Sequence, residues 1–192
     1  MSINCIRTLL EGAVKAEAQK VAVVHNQQSI SYEELFTKVN QVAFYLQELD
    51  LPKDSRIGVY STKGIDQVIA ILAVLSTDYI LVPLTTLLKP EQVEYIINDC
   101  DIKCILTDKL KLESIEEIDF DGHVISYETA GKDIASFEEI FKYYNKPYSC
   151  DISGHSNAVI TYSFGVSGNP KGIVISHRNL IDSARVVSQY LD

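Results

Sequence analysis

Between Arg56 and Thr107 the chain alternates short β-branched runs with helix-length apolar segments, and few folds accept that rhythm. Ile57 to Tyr60 reads as a buried strand. Ile65 to Leu75 is apolar on nearly every side, as a helix packed deep against a sheet must be. Ile80 to Val82 is a second strand, ending at Pro83. Pro90 stands where a first helical turn tolerates proline, and Val93, Ile96 and Ile97 form that helix's inner stripe. Cys104 to Thr107 is strand-like again. Strand, helix, strand, helix, strand implies parallel strands joined by crossover helices. The expected fold class is therefore α/β: three layers, with a mainly parallel sheet flanked by helices.

The flanking segments fit this plan. Lys20 to Val24 and Ser29–Ile30 suggest a hairpin around His25–Gln28. Ser31 and Glu34 have the spacing of a capping box. The helix they open carries Leu35, Val39, Val42, Ala43, Leu46 and Leu49 on one face, and Pro52 closes it. Lys109 to Tyr148 is more acidic and less regular, with one strand at Val124–Ser126 and one helix at Phe137–Tyr144. Tyr143, Tyr144 and Tyr148 are expected to anchor surface to core.

Composition excludes several classes. The formal charge is −9, the wrong sign for a phosphate-backbone or anionic-membrane binder. The most apolar stretch, Val68 to Leu75, falls far short of the roughly 20 residues of a membrane helix. Met1 to Leu10 lacks the pattern of a signal peptide. A cytoplasmic protein with no nucleic-acid partner and no membrane span is expected. The four cysteines lack the spacing of a zinc site and read as reduced structural thiols. No metal site is expected.

Most of the chemistry is concentrated late. Val159 to Tyr162 and Gly172 to Ile175 are two strand-length apolar runs, and between them lies S-F-G-V-S-G-N-P-K-G, Ser163 to Gly172. Glycines at 165, 168 and 172 permit tight or close-approach backbone geometry. Serines at 163 and 167, inward amides and the mobile charge of Lys171 make a nest of donors suited to polyphosphate. A Gly-Ser hairpin with a solvated lysine is the plainer reading, but such a connection is usually shorter. The spacing is not that of a Walker loop, because Asn169 and Pro170 separate Gly168 from Lys171 and a strand follows.

The stretch I-T-Y-S-F-G-V-S-G-N-P-K-G-I-V-I-S-H-R-N-L, Ile160 to Leu180, resembles the phosphate-loop signature of the adenylate-forming (AMP-binding) superfamily. S-Y-E-E-L at Ser31–Leu35, the segment Arg56–Pro83, and C-D-I-K-C-I-L-T-D at Cys100–Asp108 are similar to its earlier stretches. The resemblance implies that residues 1–192 are an incomplete N-terminal adenylate-forming domain, with the C-terminal domain absent. It also implies that Ser163, Gly165, Ser167, Gly168 and Lys171 contact ATP phosphates while Pro170 and Gly172 shape the loop. The cofactor implied is ATP with Mg2+. The substrate is a carboxylic acid, and coenzyme A is the acceptor in a full-length enzyme. No catalytic residue falls within the chain, because the family's later motifs are not in it. A missing C-terminal portion or a partner chain would be needed for activity. S-H-R-N-L and the helix after it look closer to acyl-CoA synthetases; a peptide-synthetase adenylation domain is the alternative. Phe164 and Val166 replace hydroxyl residues usual in the family, and Asp78 stands where glycine is typical. A non-catalytic remnant serving binding or assembly is the reading from another class.

His177 follows the second run and precedes a helix, with Ser176 placed to cap it. That helix's apolar stripe is Leu180, Ala184, Val187 and Leu191. A histidine packed on the sheet is the expected role, ahead of one lining an acyl pocket.

Overall fold

The computed structural model describes residues 5–118, 120–131, 134–144, 146, 148–163 and 170–191. Its centre is β3 (Arg56–Tyr60), whose residues face apolar groups on both sides of the sheet. Ile57 and Val59 point into one core cluster and Tyr60 into the other. A strand buried on both faces must be covered on both, and the connections do this. From β3 the chain passes through α3 (Ile65–Val74) to parallel β4 (Ile80–Leu84), then through α4 (Pro90–Asp99) to β5 (Ile102–Thr107) on the other flank of β3. With α5 (Lys109–Glu116), β6 (His123–Ser126), β7 (Ala135–Ser136), β8 (Asn157–Ser163) and β9 (Lys171–Ser176), the sheet order is β7-β6-β5-β3-β4-β8-β9. All recorded pairings are parallel except the β8–β9 hairpin.

One face carries α2 (Tyr32–Glu48) and α3, whose Val39, Val42, Leu46, Ile69 and Ala73 are fully buried. Outside them lie α1 (Ile6–Glu17) and α6 (Phe137–Tyr143). The other face is covered by α4 through Val93, Ile96 and Ile97, and by Ile115 of α5. The three-layer α/β expectation holds. A separate hairpin, β1 (Val21–His25) with β2 (Gln28–Ser31), turns at Asn26, whose φ is +56°.

Several local expectations change. Only half of the anticipated capping box forms: Ser31 Oγ accepts from the Glu34 amide at 3.2 Å, while the Glu34 carboxylate pairs with Lys38 at 3.2 Å. The strand expected to stop at Pro83 runs through it to Leu84. The recorded pair with β8 is Leu81–Val159, so the ring sits past that pair and no partner there waits for the missing N–H. Asp78, in a glycine-typical position, is not in the left-handed region; its carboxylate accepts from Gln47 Nε2 at 3.1 Å. Tyr143 is exposed rather than an anchor, whereas Tyr144 packs edge-on against Tyr45 and Tyr148 is buried. The four cysteines are unpaired thiols. Left-handed aspartates at 50, 54 and 101 occupy the two turns that lead from helices α2 and α4 into β3 and β5.

Helix α1, which the sequence pattern did not reveal, is fixed by a buried cation. Arg7 donates to Asn40 Oδ1 at 2.8 Å and to the Tyr148 carbonyl at 2.7 Å, pairs with Glu11 at 3.1 Å, and lies over the rings of Phe36 and Tyr148. It thereby joins α1, α2 and the segment before β8. Arg7→Ala leaves a buried carbonyl without its donor and should cost about 2–3 kcal/mol, read as a lower urea midpoint at unchanged slope.

Candidate functional site

Strands β3, β4, β5 and β8 all point the same way, so their carboxyl ends share one edge. There β3 sends its connection to β4 on one side, while β5 continues away on the other, which makes a topological switch point. Two clefts open along this edge. One, of about 440 Å³, lies at the ends of β3, β4 and β8, between Ser61, Lys63, Gln67, Leu84, Thr85, Thr161 and Tyr162. The other, of about 550 Å³, lies over β3 and β5, where Asp108 joins the two strand exits. Its carboxylate accepts from the Thr62 amide and hydroxyl at 2.6 Å each, and from the Lys111 amide, which it caps, at 2.9 Å.

The β8–β9 hairpin brings the predicted phosphate loop to the same edge. Tyr162 pairs with Gly172 and Ser163 with Lys171, so the serine and the lysine face each other across the loop's mouth. Both are exposed, and Lys171 stands on the edge strand outside the first cleft, with no ion-pair partner among the described residues. An exposed cation beside a hydroxyl, with no carboxylate to neutralise it, is compatible with a phosphate oxyanion. Gly165, Ser167 and Gly168, with Phe164, Val166 and Asn169, lie outside the described residues. Pro170 is half-buried at the start of β9. At Gly172 a Cβ would come within 3.1 Å of Ile160 Cγ2 and 3.3 Å of the Tyr162 ring, so bare backbone lets that ring cross it. Among the described residues no group of three His, Cys, Asp or Glu side chains could hold a metal ion.

His177 is only 1% exposed and accepts from the Ile6 amide through Nδ1 at 3.5 Å, so it links α7 (His177–Leu191) to α1. Ser176 caps α7: its Oγ accepts from the Asn179 amide and its own amide donates to Asn179 Oδ1, both at 3.3 Å. The expected stripe on α7 is only partly used. Leu180 is half-buried and Ile181 is buried, but Ala184, Val187 and Leu191 are exposed.

The chain belongs to the AMP-binding enzyme family, whose pattern matches residues 10–192. It is 31% identical over 175 residues to gramicidin S synthase 1 of Brevibacillus brevis, covering 91% of this chain and 15% of that protein. It is 29% identical to zwittermicin A synthase ZmaJ of Bacillus cereus, covering 93% of this chain and 32% of the relative. The chain thus spans well under two thirds of these relatives. Among solved structures, the anthranilate CoA ligase AuaEII in complex with anthranoyl-AMP superposes with a TM-score of 0.88 at 22% identity. That match covers 96% of this chain and 37% of the ligase. A benzoate CoA ligase from Burkholderia xenovorans gives 0.82 at 20% identity, covering 94% and 36%. The fold is that of the N-terminal domain of adenylate-forming enzymes, a family that uses ATP, typically with Mg2+. No helix among the described residues is long and apolar enough to cross a membrane.

Burial lowers the imidazole of His177 to about 4, so the folded chain holds it neutral. Below pH 6.5 the unfolded chain takes up a proton that the fold refuses. Stability should therefore fall with pH by up to about 3 kcal/mol between pH 6.5 and 4. Comparing urea midpoints across that range for the native chain and His177→Asn checks this; the variant's profile should be flatter.

Proposed function

We propose that this chain supplies the ATP-phosphate-gripping part of an adenylate-forming enzyme. In such an enzyme the carboxylate of an acid substrate attacks the α-phosphorus of ATP, pyrophosphate leaves, and the acyl-adenylate passes its acyl group to a thiol. The observation that carries the reading is the β8–β9 hairpin, which holds Ser163 opposite an unneutralised Lys171 at the carboxyl edge of the sheet. Ser163 would donate to a phosphate oxygen and Lys171 would offset its charge, with Gly165, Ser167 and Gly168 completing the cradle. Transition-state stabilisation in phosphoryl chemistry needs several converging donors. One loop does not provide them, and we assign no catalytic residue to this chain.

Coenzyme A is the acceptor that the S-H-R-N-L run first suggested. The 31% identity to gramicidin S synthase 1 favours a second reading, an adenylation-domain fragment of a peptide synthetase. Both readings require a carboxylic acid and the same phosphate loop.

Calorimetry with ATP tests the shared claim. The chain should release heat on binding, and Lys171→Ala should weaken affinity by at least about tenfold, in line with the loss of one charge-assisted hydrogen bond. Absence of any heat from the unaltered chain would favour a remnant with a binding or assembly role. The chain alone should also give no ATP–pyrophosphate exchange, and clear exchange would overturn the claim that residues 1–192 lack catalytic groups.

A further inference from the structure

The last residues of β8 are ladder-paired on one side, with β9. Its recorded pair with β4 is Leu81–Val159. Beyond it, residues 160–163 have exposed β9 on one side, and on the other the cleft that Thr161 and Tyr162 line together with Leu84 and Thr85. A loop that grips phosphate by converging donors must nevertheless have its two ends fixed. A side-chain contact to the covering helices would add to what the ladder supplies.

The structure offers such a contact through Tyr162, alongside the packing of Ile160 against the same apolar cluster. Tyr162 donates its phenol to Asp99 Oδ2 at 2.6 Å, across 63 positions of sequence. Asp99 is the last residue of α4, and its other oxygen accepts from Tyr95 at 3.4 Å. Helix α4 is itself immobilised through Val93, Ile96 and Ile97, and the Tyr162 ring packs against that same apolar cluster. The ring also crosses Gly172, where a Cβ would lie 3.4 Å from the phenol oxygen. Tyr162 is bonded to Ser163, and Gly172 to Lys171. The ring thus belongs to the residue before Ser163 and contacts the residue after Lys171.

We propose that Tyr162 is a positioning residue for nucleotide binding, tethered by Asp99 so that Ser163 and Lys171 keep the spacing a polyphosphate needs. The inference rests on the phosphate-loop reading above and adds the element that aims the loop. Burial, followed by the Asp99 carboxylate, pushes the phenol of Tyr162 up, so it keeps its proton and remains the donor.

Tyr162→Phe removes the hydroxyl and keeps the ring. Titrating ATP and inorganic tripolyphosphate into this variant by calorimetry should show about a tenfold loss of affinity for each, equivalent to about 1.4 kcal/mol, with the thermal midpoint nearly unchanged. Asp99→Ala should give the same loss. Asp99→Asn keeps an acceptor oxygen and should retain most of the affinity. The double variant Tyr162→Phe/Asp99→Ala should be no weaker than either single one, as expected for two ends of one contact. If the unaltered chain binds ATP, Lys171→Ala does not, and Tyr162→Phe binds as the unaltered chain does, the tether is wrong and the phosphate-loop reading stands. A loss of affinity that merely follows a loss of stability across the four variants also overturns it. If the unaltered chain binds neither probe, the phosphate-loop reading fails and the tether fails with it.

Discussion

The structure depends on a central strand that can be wet on neither face. β3 has β4 on one flank and β5 on the other, and its side chains enter apolar clusters above and below. A parallel neighbour cannot be reached by a tight turn, so each connection has to cross the sheet, and right-handed crossovers place helices where they cover it. Once α3 and α4 lie on opposite faces, strand growth reverses direction at β3. The clefts at the carboxyl edge follow from that reversal. The β8–β9 hairpin is an addition to this frame: β8 joins beside β4, and β9 returns antiparallel at the end of the strand order.

Much of this was legible in the residues. The run from Ile57 to Thr107 specified three strands and two helices to within two residues at the ends it named, because apolar periodicity and Pro90 agree there. The less legible parts have physical causes. Cys5 is a weak sign of a helix start, and Arg7 interrupts the apolar face of α1. That arginine is buried because Asn40, the Tyr148 carbonyl and Glu11 surround it, and these come from positions up to 141 residues away. Helix α5 offers only Leu112 and Ile115 to the core amid an acidic run. β7 is two residues long, too short for any pattern to register.

At the candidate site, sequence spacing located the loop and its lysine, and the fold places Ser163 against Lys171. It could not show what braces them. The partner of Tyr162 is an aspartate at the end of a helix on another layer, and no local signal links the two. Asp108 is a similar case: it caps α5 and also bonds the exit of β3 through Thr62. Long-range polar contacts of this kind are set by topology, so they become visible only once the strand order is known.

The turns into β3 and β5 have a consequence of their own. Asp50, Asp54 and Asp101 adopt the left-handed region, where glycine would fit without strain. Glycine would also give the unfolded chain more freedom to lose on folding. With aspartate the chain accepts a small conformational penalty and, in exchange, narrows the disordered ensemble in the turns that enter the central strands. Glycine is instead concentrated in the sequence from Ser163 to Gly172, at 165, 168 and 172. The chain thus keeps its backbone freedom for that run and withholds it from the turns that enter its central strands.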